Sequence, residues 1–186
     1  MTRMFVAVYP SAEAVEHLDA FLDIRREAGT FRWAPPEQWH LTLAFFADVP
    51  DRSFDALVDG LDAVVRKRSA QTAVIAGGGA FPHIGRAKVL WGGVEPEDPI
   101  GLEKLARGCR AAGAIVGAAP AGDRFRPHLT LARINPPIEA TKWVRVLDAY
   151  RGPSWSIEEI ALVESHLGEG PNRRPRHEVV ATFAFS

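Results

Sequence analysis

Apolar and polar positions along this chain fall into a succession of strand-like and helix-like segments. Residues 3–9 read as an apolar run ended by Pro10, the pattern of a buried strand. Ser11 can cap a following helix, in which Val15, Leu18 and Leu22 recur at helical spacing until near Gly29. A Pro35-Pro36 turn leads into a strand over about 39–46, and residues 52–68 form a second helix with Phe54, Leu57, Val58, Leu61, Val64 and Val65 on one face. Strands are expected near 72–76 and 87–94, separated by a glycine-rich loop over 77–86. Asp98-Pro99 opens a third helix, with Leu102, Leu105 and Cys109 inward. A strand at about 125–133 comes next, then a fourth helix introduced by Pro136-Pro137 and carrying Trp143, Val146 and Leu147. Strand-like segments at about 155–164 and 176–185 finish the chain.

This alternation implies an α+β or α/β chain, and neighbouring strands joined by short turns favour antiparallel or mixed pairing. No linker, low-complexity tract or charge run divides residues 1–186, so one domain, or two small lobes sharing a core, is expected. Charge narrows the function. With 22 basic against 23 acidic residues and a net charge of −1, the chain lacks the cationic excess of proteins that coat long nucleic acid. A local cleft for one phosphate or a strand end stays compatible. Cys109 is the single cysteine, which rules out an internal disulfide and a thiolate metal cluster. The opening segment is too short to span a bilayer and carries no signal-peptide pattern. A soluble, cytoplasmic monomer with no membrane association is therefore expected.

The chemistry lies in a repeat. His40-Leu41-Thr42-Leu43-Ala44 recurs residue for residue as His128-Leu129-Thr130-Leu131-Ala132, 88 residues later. Each copy follows a proline-containing turn and precedes a helical segment, which suggests two related halves. Strand alternation puts His40 and Thr42 on one face and Leu41 and Leu43 on the other, and likewise for His128 and Thr130 against Leu129 and Leu131. If the halves face each other about a pseudo-two-fold axis, two imidazoles and two hydroxyls converge. Such a site suits phosphodiester cleavage: one imidazole takes a proton from water, the other protonates the departing oxygen, and both hydroxyls hold non-bridging oxygens. A lone histidine on a strand is usually structural, and Leu-Thr-Leu is ordinary strand sequence; the repetition is what reverses the odds. A zinc site fails for want of a third ligand at usual spacing, so no metal and no cofactor are expected.

On these motifs the sequence resembles the 2H phosphoesterase superfamily, named for two His-x-Thr/Ser-x motifs. Within it the chain is similar to the bacterial and archaeal RNA 2′,3′-cyclic phosphodiesterases, formerly called 2′-5′ RNA ligases. The Phe5-Val6-Ala7-Val8 opening, Arg32-Trp33, the loop Gly77-Gly78-Gly79-Ala80-Phe81-Pro82, the segment Val89–Val94 and Arg126–Arg133 carry the likeness over nearly the whole chain. The resemblance implies a bilobal α+β fold, two pseudo-symmetric antiparallel sheets backed by helices with a central cleft, forming a single catalytic domain over 1–186. It implies that His40 and His128 transfer protons; we assign His40 as acid and His128 as base in hydrolysis, roles that reversal would exchange. It also implies that Thr42, Thr130 and Arg133 bind the phosphate. RNA ends are the expected partners, opened to 2′-phosphomonoesters or joined in reverse through a 2′-5′ linkage. A phosphodiesterase for small cyclic-phosphate nucleotides or ADP-ribose cyclic phosphate, or a nucleotide- or RNA-binding module without turnover, are the alternatives.

Two features strain the pattern. Alternation places Arg133 on the leucine face, away from His128, unless the strand ends or bulges there. His177 stands where relatives often carry tyrosine. Among the lesser candidates, Arg86 and Lys88 could touch a backbone, and Trp33, Phe45 and Phe81 could stack a base. His166 could rim the cleft, while His17 and His83 read as bystanders. Gly77-Gly78-Gly79 is no P-loop, since no Gly-Lys-Ser/Thr comes after it.

Overall fold

A computed structural model of the chain describes residues 2–122 and 124–186. Nine strands and four α-helices succeed one another as β1 (Thr2–Val8), α1 (Ala12–Asp23), β2 (Arg32–Trp33), β3 (Leu41–Val49), α2 (Phe54–Arg66), β4 (Gln71–His83), β5 (Arg86–Pro96), α3 (Pro99–Ile115), β6 (His128–Ile138), α4 (Thr141–Asp148), β7 (Arg151–Ile157), β8 (Glu159–His166) and β9 (Arg176–Ala184) among the described residues. Ser11 caps α1 by accepting from the Ala14 N–H, and Asp98 caps α3 through the Gly101 N–H with Pro99 behind it, as their sequence positions suggest. No described helix is long and apolar enough to cross a membrane.

The strands run antiparallel in the order β7-β4-β5-β6-β3-β1-β8-β9, with β2 added to β6. Two four-stranded halves are visible in that order. β7-β4-β5-β6 carries the second motif, β3-β1-β8-β9 the first. The halves join where Leu41 stands opposite Leu129, so the expected two sheets meet in one curled sheet through the two motifs themselves. The halves also trade helices. α1 leaves β1 of the first half and packs on β7 of the second, while α3 leaves β5 and packs on β3. Apolar residues of both halves share one large core that includes Leu18, Leu41, Leu57, Leu102, Leu129 and Leu162.

Three boundaries differ from the sequence reading. Residues 77–83 are strand rather than loop, making β4–β5 one long hairpin. A side chain at Gly78 would meet the Trp91 carbonyl and Leu147, and one at Gly79 would meet the Trp91 indole, so these glycines admit close neighbours within a strand. Pro136 and Pro137 lie near the end of β6 rather than opening α4, which begins at Thr141. The segment at 155–164 divides at Glu158: β7 pairs with β4 in one half and β8 with β1 in the other. Glu158-Glu159 stands at the break, but the residues on either side both read as strand and do not themselves say which partner each will take.

Candidate active site

Each motif is placed by the turn before it and by a bulge within it. Prolines fix the 3₁₀ turn at Pro36–Gln38 and the approach through Arg126-Pro127. From these turns the carbonyls of Gln38 and Arg126 point back at the rings two residues later: His40 Nδ1 lies 2.7 Å from the Gln38 oxygen and His128 Nδ1 lies 2.6 Å from the Arg126 oxygen. A carbonyl oxygen only accepts, so each Nδ1 carries the hydrogen and each neutral ring keeps a bare lone pair on Nε2. The same device occurs in both halves.

The leucine faces are sealed. Leu41 and Leu129 are 0% exposed, while His40, Thr42, His128 and Thr130 are only partly covered. Because β3 and β6 run antiparallel through Leu41 and Leu129, Thr42 lies toward His128 and His40 toward Thr130. Thr42 and His128 share the wall of a cavity of about 150 Å³ on one flank. Thr130 and Arg133 line one of about 270 Å³ on the other.

The bulges set the orientation of the residues beyond each threonine. On β3, Val6 pairs with Ala44 and Ala7 with Thr42, leaving Leu43 without an opposite number. On β6, Leu90 pairs with Ala132 and Trp91 with Thr130, leaving Leu131 so. An extra residue reverses the alternation beyond it. Ala44 and Ala132 turn inward, and the next residues, Phe45 and Arg133, come round to the threonine side. Arg133 thereby lines the same cavity as Thr130, which strict alternation forbade.

Aromatic rings enclose the imidazoles unequally. Phe5 stacks on His40 at 4.7 Å between centroids, and His177 meets the same ring edge-on at 5.8 Å. Phe81 and Trp91 flank His128 edge-on at 5.0 and 6.0 Å. Burial pushes His40 down to about 4; charge on His177 or His128 would add to this, and the Gln38 carbonyl opposes it. His128 is also held below its ordinary range, again chiefly by burial, with the Arg126 carbonyl opposing and the Arg126 charge adding. Both rings are therefore neutral near pH 7. His177 is lowered by burial, and its Nδ1 is buried without a hydrogen-bond partner among the described residues.

Sequence reasoning alone does not single out Phe5, Trp91 or Tyr9, whose ring lies 6.0 Å from that of His40, as site residues; the one signal available is strand parity along β1, just past which Tyr9 stands, and along β5. Of the lesser candidates, Phe81 touches His128 and Phe45 reaches the cleft side beneath Arg3. Trp33 packs with Phe31 and Trp143. His17 bonds the Tyr150 hydroxyl at 2.9 Å, and His166 sits among Glu164, Glu169 and Glu178, with Nε2 3.1 Å from Glu178.

Against known proteins, residues 9–169 match the family model described as the 2′-5′ RNA ligase superfamily. The chain belongs to that superfamily. An RNA 2′,3′-cyclic phosphodiesterase of Thermus thermophilus is 31% identical, over 89% of this chain and 82% of the relative. One of Geobacillus stearothermophilus is 29% identical over 98% of this chain, which spans only 57% of that relative's length. Among solved structures, one from Thermus thermophilus superposes with a TM-score of 0.76 at 28% identity, covering 98% of this chain and 97% of the other. E. coli LigT in complex with 3′-AMP superposes at 0.77 and 23% identity, covering 100% and 98%, and so shares the superfamily's fold.

Proposed function

We propose that this protein is an RNA 2′,3′-cyclic phosphodiesterase that opens terminal cyclic phosphates to 2′-phosphomonoesters without a metal. One observation carries the reading: two imidazoles from two halves of one sheet, each anchored through Nδ1 to a backbone carbonyl, on strands whose register brings the threonine of one motif toward the histidine of the other. Relatives named for this activity, 26–31% identical to the chain, support it.

In hydrolysis one Nε2 takes a proton from water as its oxygen bonds to phosphorus. The P–O3′ bond breaks, and the other imidazole, as imidazolium, gives its proton to the leaving 3′-oxygen. Thr42, Thr130 and Arg133 hold the non-bridging oxygens, where charge accumulates. Neutral rings need a proton brought in with the substrate, and an anionic phosphate between them favours the charged form. Burial pushes His40 especially low. It can therefore be the acid only with phosphate bound; otherwise the roles of His40 and His128 exchange. The bilobal unit acts as a cytoplasmic monomer, and with a 5′-hydroxyl in place of water as nucleophile the same breaking of P–O3′ would join that end through a 2′-5′ linkage.

The test is hydrolysis of 2′,3′-cyclic AMP and of an oligonucleotide with that end, with EDTA present. Turnover with chelator is expected. Complete loss on chelation would overturn the metal-free mechanism, and binding without turnover would overturn the enzyme.

A further inference from the structure

The cavity on the Thr130 flank holds more positive charge than one phosphate requires. Its wall carries Arg32, Arg133, Arg173 and Arg174 beside Thr130 and Gln38, and no carboxylate among the described residues. None of the four arginines forms an ion pair with a carboxylate among the described residues, in contrast to Arg26 with Asp19 and Arg176 with Glu169. In a chain of net charge −1, four such guanidinium groups around about 270 Å³ are a local exception. Like charges held together repel, so the arrangement favours an anionic occupant.

The loop that supplies two of them is built at a conformational cost. Asn172 and Arg173 both adopt the left-handed region, at φ 54° and 60°. Asparagine tolerates that region; arginine gains nothing local from it. The turn is pinned on several sides. Gly170 N–H donates to the Arg174 carbonyl at 2.7 Å, Arg32 donates to the Asn172 carbonyl at 2.9 Å, and Gln38 Nε2 donates to the Pro175 carbonyl at 3.1 Å. Arg32 and Gln38 come from the segment that leads into His40, so the loop is registered directly on the candidate site. Backbone strain held in place by such contacts is characteristic of ligand-gripping segments.

We propose that this cavity is a second phosphate subsite, which takes the phosphate on the 5′ side of the nucleotide bearing the cyclic phosphate. The inference rests on the cyclic-phosphodiesterase reading and adds a substrate preference to it. Guanidinium forks grip phosphate oxygens in pairs. Thr130 lines this cavity together with Arg133 and by strand register lies toward His40, so one nucleotide can span from the histidine pair to the arginines. An RNA end, or a nucleotide with its own 5′-phosphate, then binds through both positions. A bare cyclic nucleoside phosphate uses only one.

Three substrates separate the possibilities: 2′,3′-cyclic AMP, its 5′-phosphorylated form, and the dinucleotide ApA with a 2′,3′-cyclic end. We expect kcat/KM about tenfold or more higher for the two bearing a 5′-side phosphate, mostly through KM, with the advantage shrinking as salt rises. An advantage for the dinucleotide alone marks the subsite as specific for a phosphodiester; an equal one marks it as general for phosphate. In Arg173→Gln/Arg174→Gln the ratio of dinucleotide to mononucleotide kcat/KM should collapse. Arg173→Gly, which suits the positive φ, should raise the melting temperature while lowering that ratio, a combination that simple misfolding does not give. Equal kcat/KM for all three substrates, or equal loss on all three in the variants, would overturn the subsite. If no substrate is hydrolysed, the enzymatic reading fails separately, and binding decides the subsite. Adenosine 3′,5′-bisphosphate should then bind more tightly than adenosine 3′-monophosphate to the parent and not to the double variant; equal binding to the parent overturns it.

Discussion

The two halves place a histidine and a threonine by the same backbone devices, yet they surround them differently. In both, a carbonyl two residues earlier holds Nδ1, and the second leucine of the motif bulges out of register. Past the bulge the halves diverge, with Phe45 in the first and Arg133 in the second. Around the rings, Phe5 and His177 close over His40, whereas Phe81 and Trp91 stand edge-on to His128. Repetition of the backbone makes the pair, and divergence of the neighbours makes its members unequal. An acid and a base that differ in environment can hold different protonation states at one pH.

Substitution can break this contrast at several points. The largest expected effect comes from removing either imidazole: His40→Ala and His128→Ala should each cut kcat by about 10²–10⁴-fold, with the double variant little worse than the poorer single one. One variant retaining near-parent turnover would leave a one-histidine site. Next are the hydroxyls, where Thr42→Val and Thr130→Val should each lose about 10²-fold in kcat/KM on 2′,3′-cyclic AMP. Beyond the bulges the halves should part: Arg133→Gln should cost about tenfold or more and Phe45→Leu clearly less, so equal losses would argue that the asymmetry carries no function. The smallest effect is electrostatic. His177→Phe keeps a ring beside Phe5 but removes a charge that pushes His40 down, so the His40 titration should move upward. No movement, or a downward one, would remove His177 from the site's electrostatics.

Much of this site was legible in the sequence, because strand parity needs only the strand itself. The exact repeat announced the pairing, and alternation put the leucines inward and the His/Thr pairs outward. Arg133 shows where that reasoning stops. Its side depends on Leu131 having no partner on β5, a property of two strands in register that one strand's residues do not encode. The same holds for the break at Glu158, since β7 and β8 both read as strand and differ in the half they join. Gly78 and Gly79 misled in the opposite way. They signal a loop by composition, yet they serve a strand that must lie close to Trp91 and Leu147. His177 belongs to neither motif; it stands on β9, and the curl of the sheet brings it to His40.

The most direct measurement follows both histidine side chains by heteronuclear NMR as pH is lowered in the substrate-free protein. Near pH 7 both rings should be neutral, with the hydrogen on Nδ1 and Nε2 bare. On acidification His40 should hold out until about 4, because a lowered pKa keeps the neutral form at pH values where a free imidazole is already charged. His128 should also titrate below its ordinary range. Adding a phosphate-bearing product should move both titrations upward. A hydrogen found on Nε2 of either ring near pH 7, or a His40 that titrates at its ordinary value, would contradict the paired, carbonyl-anchored site.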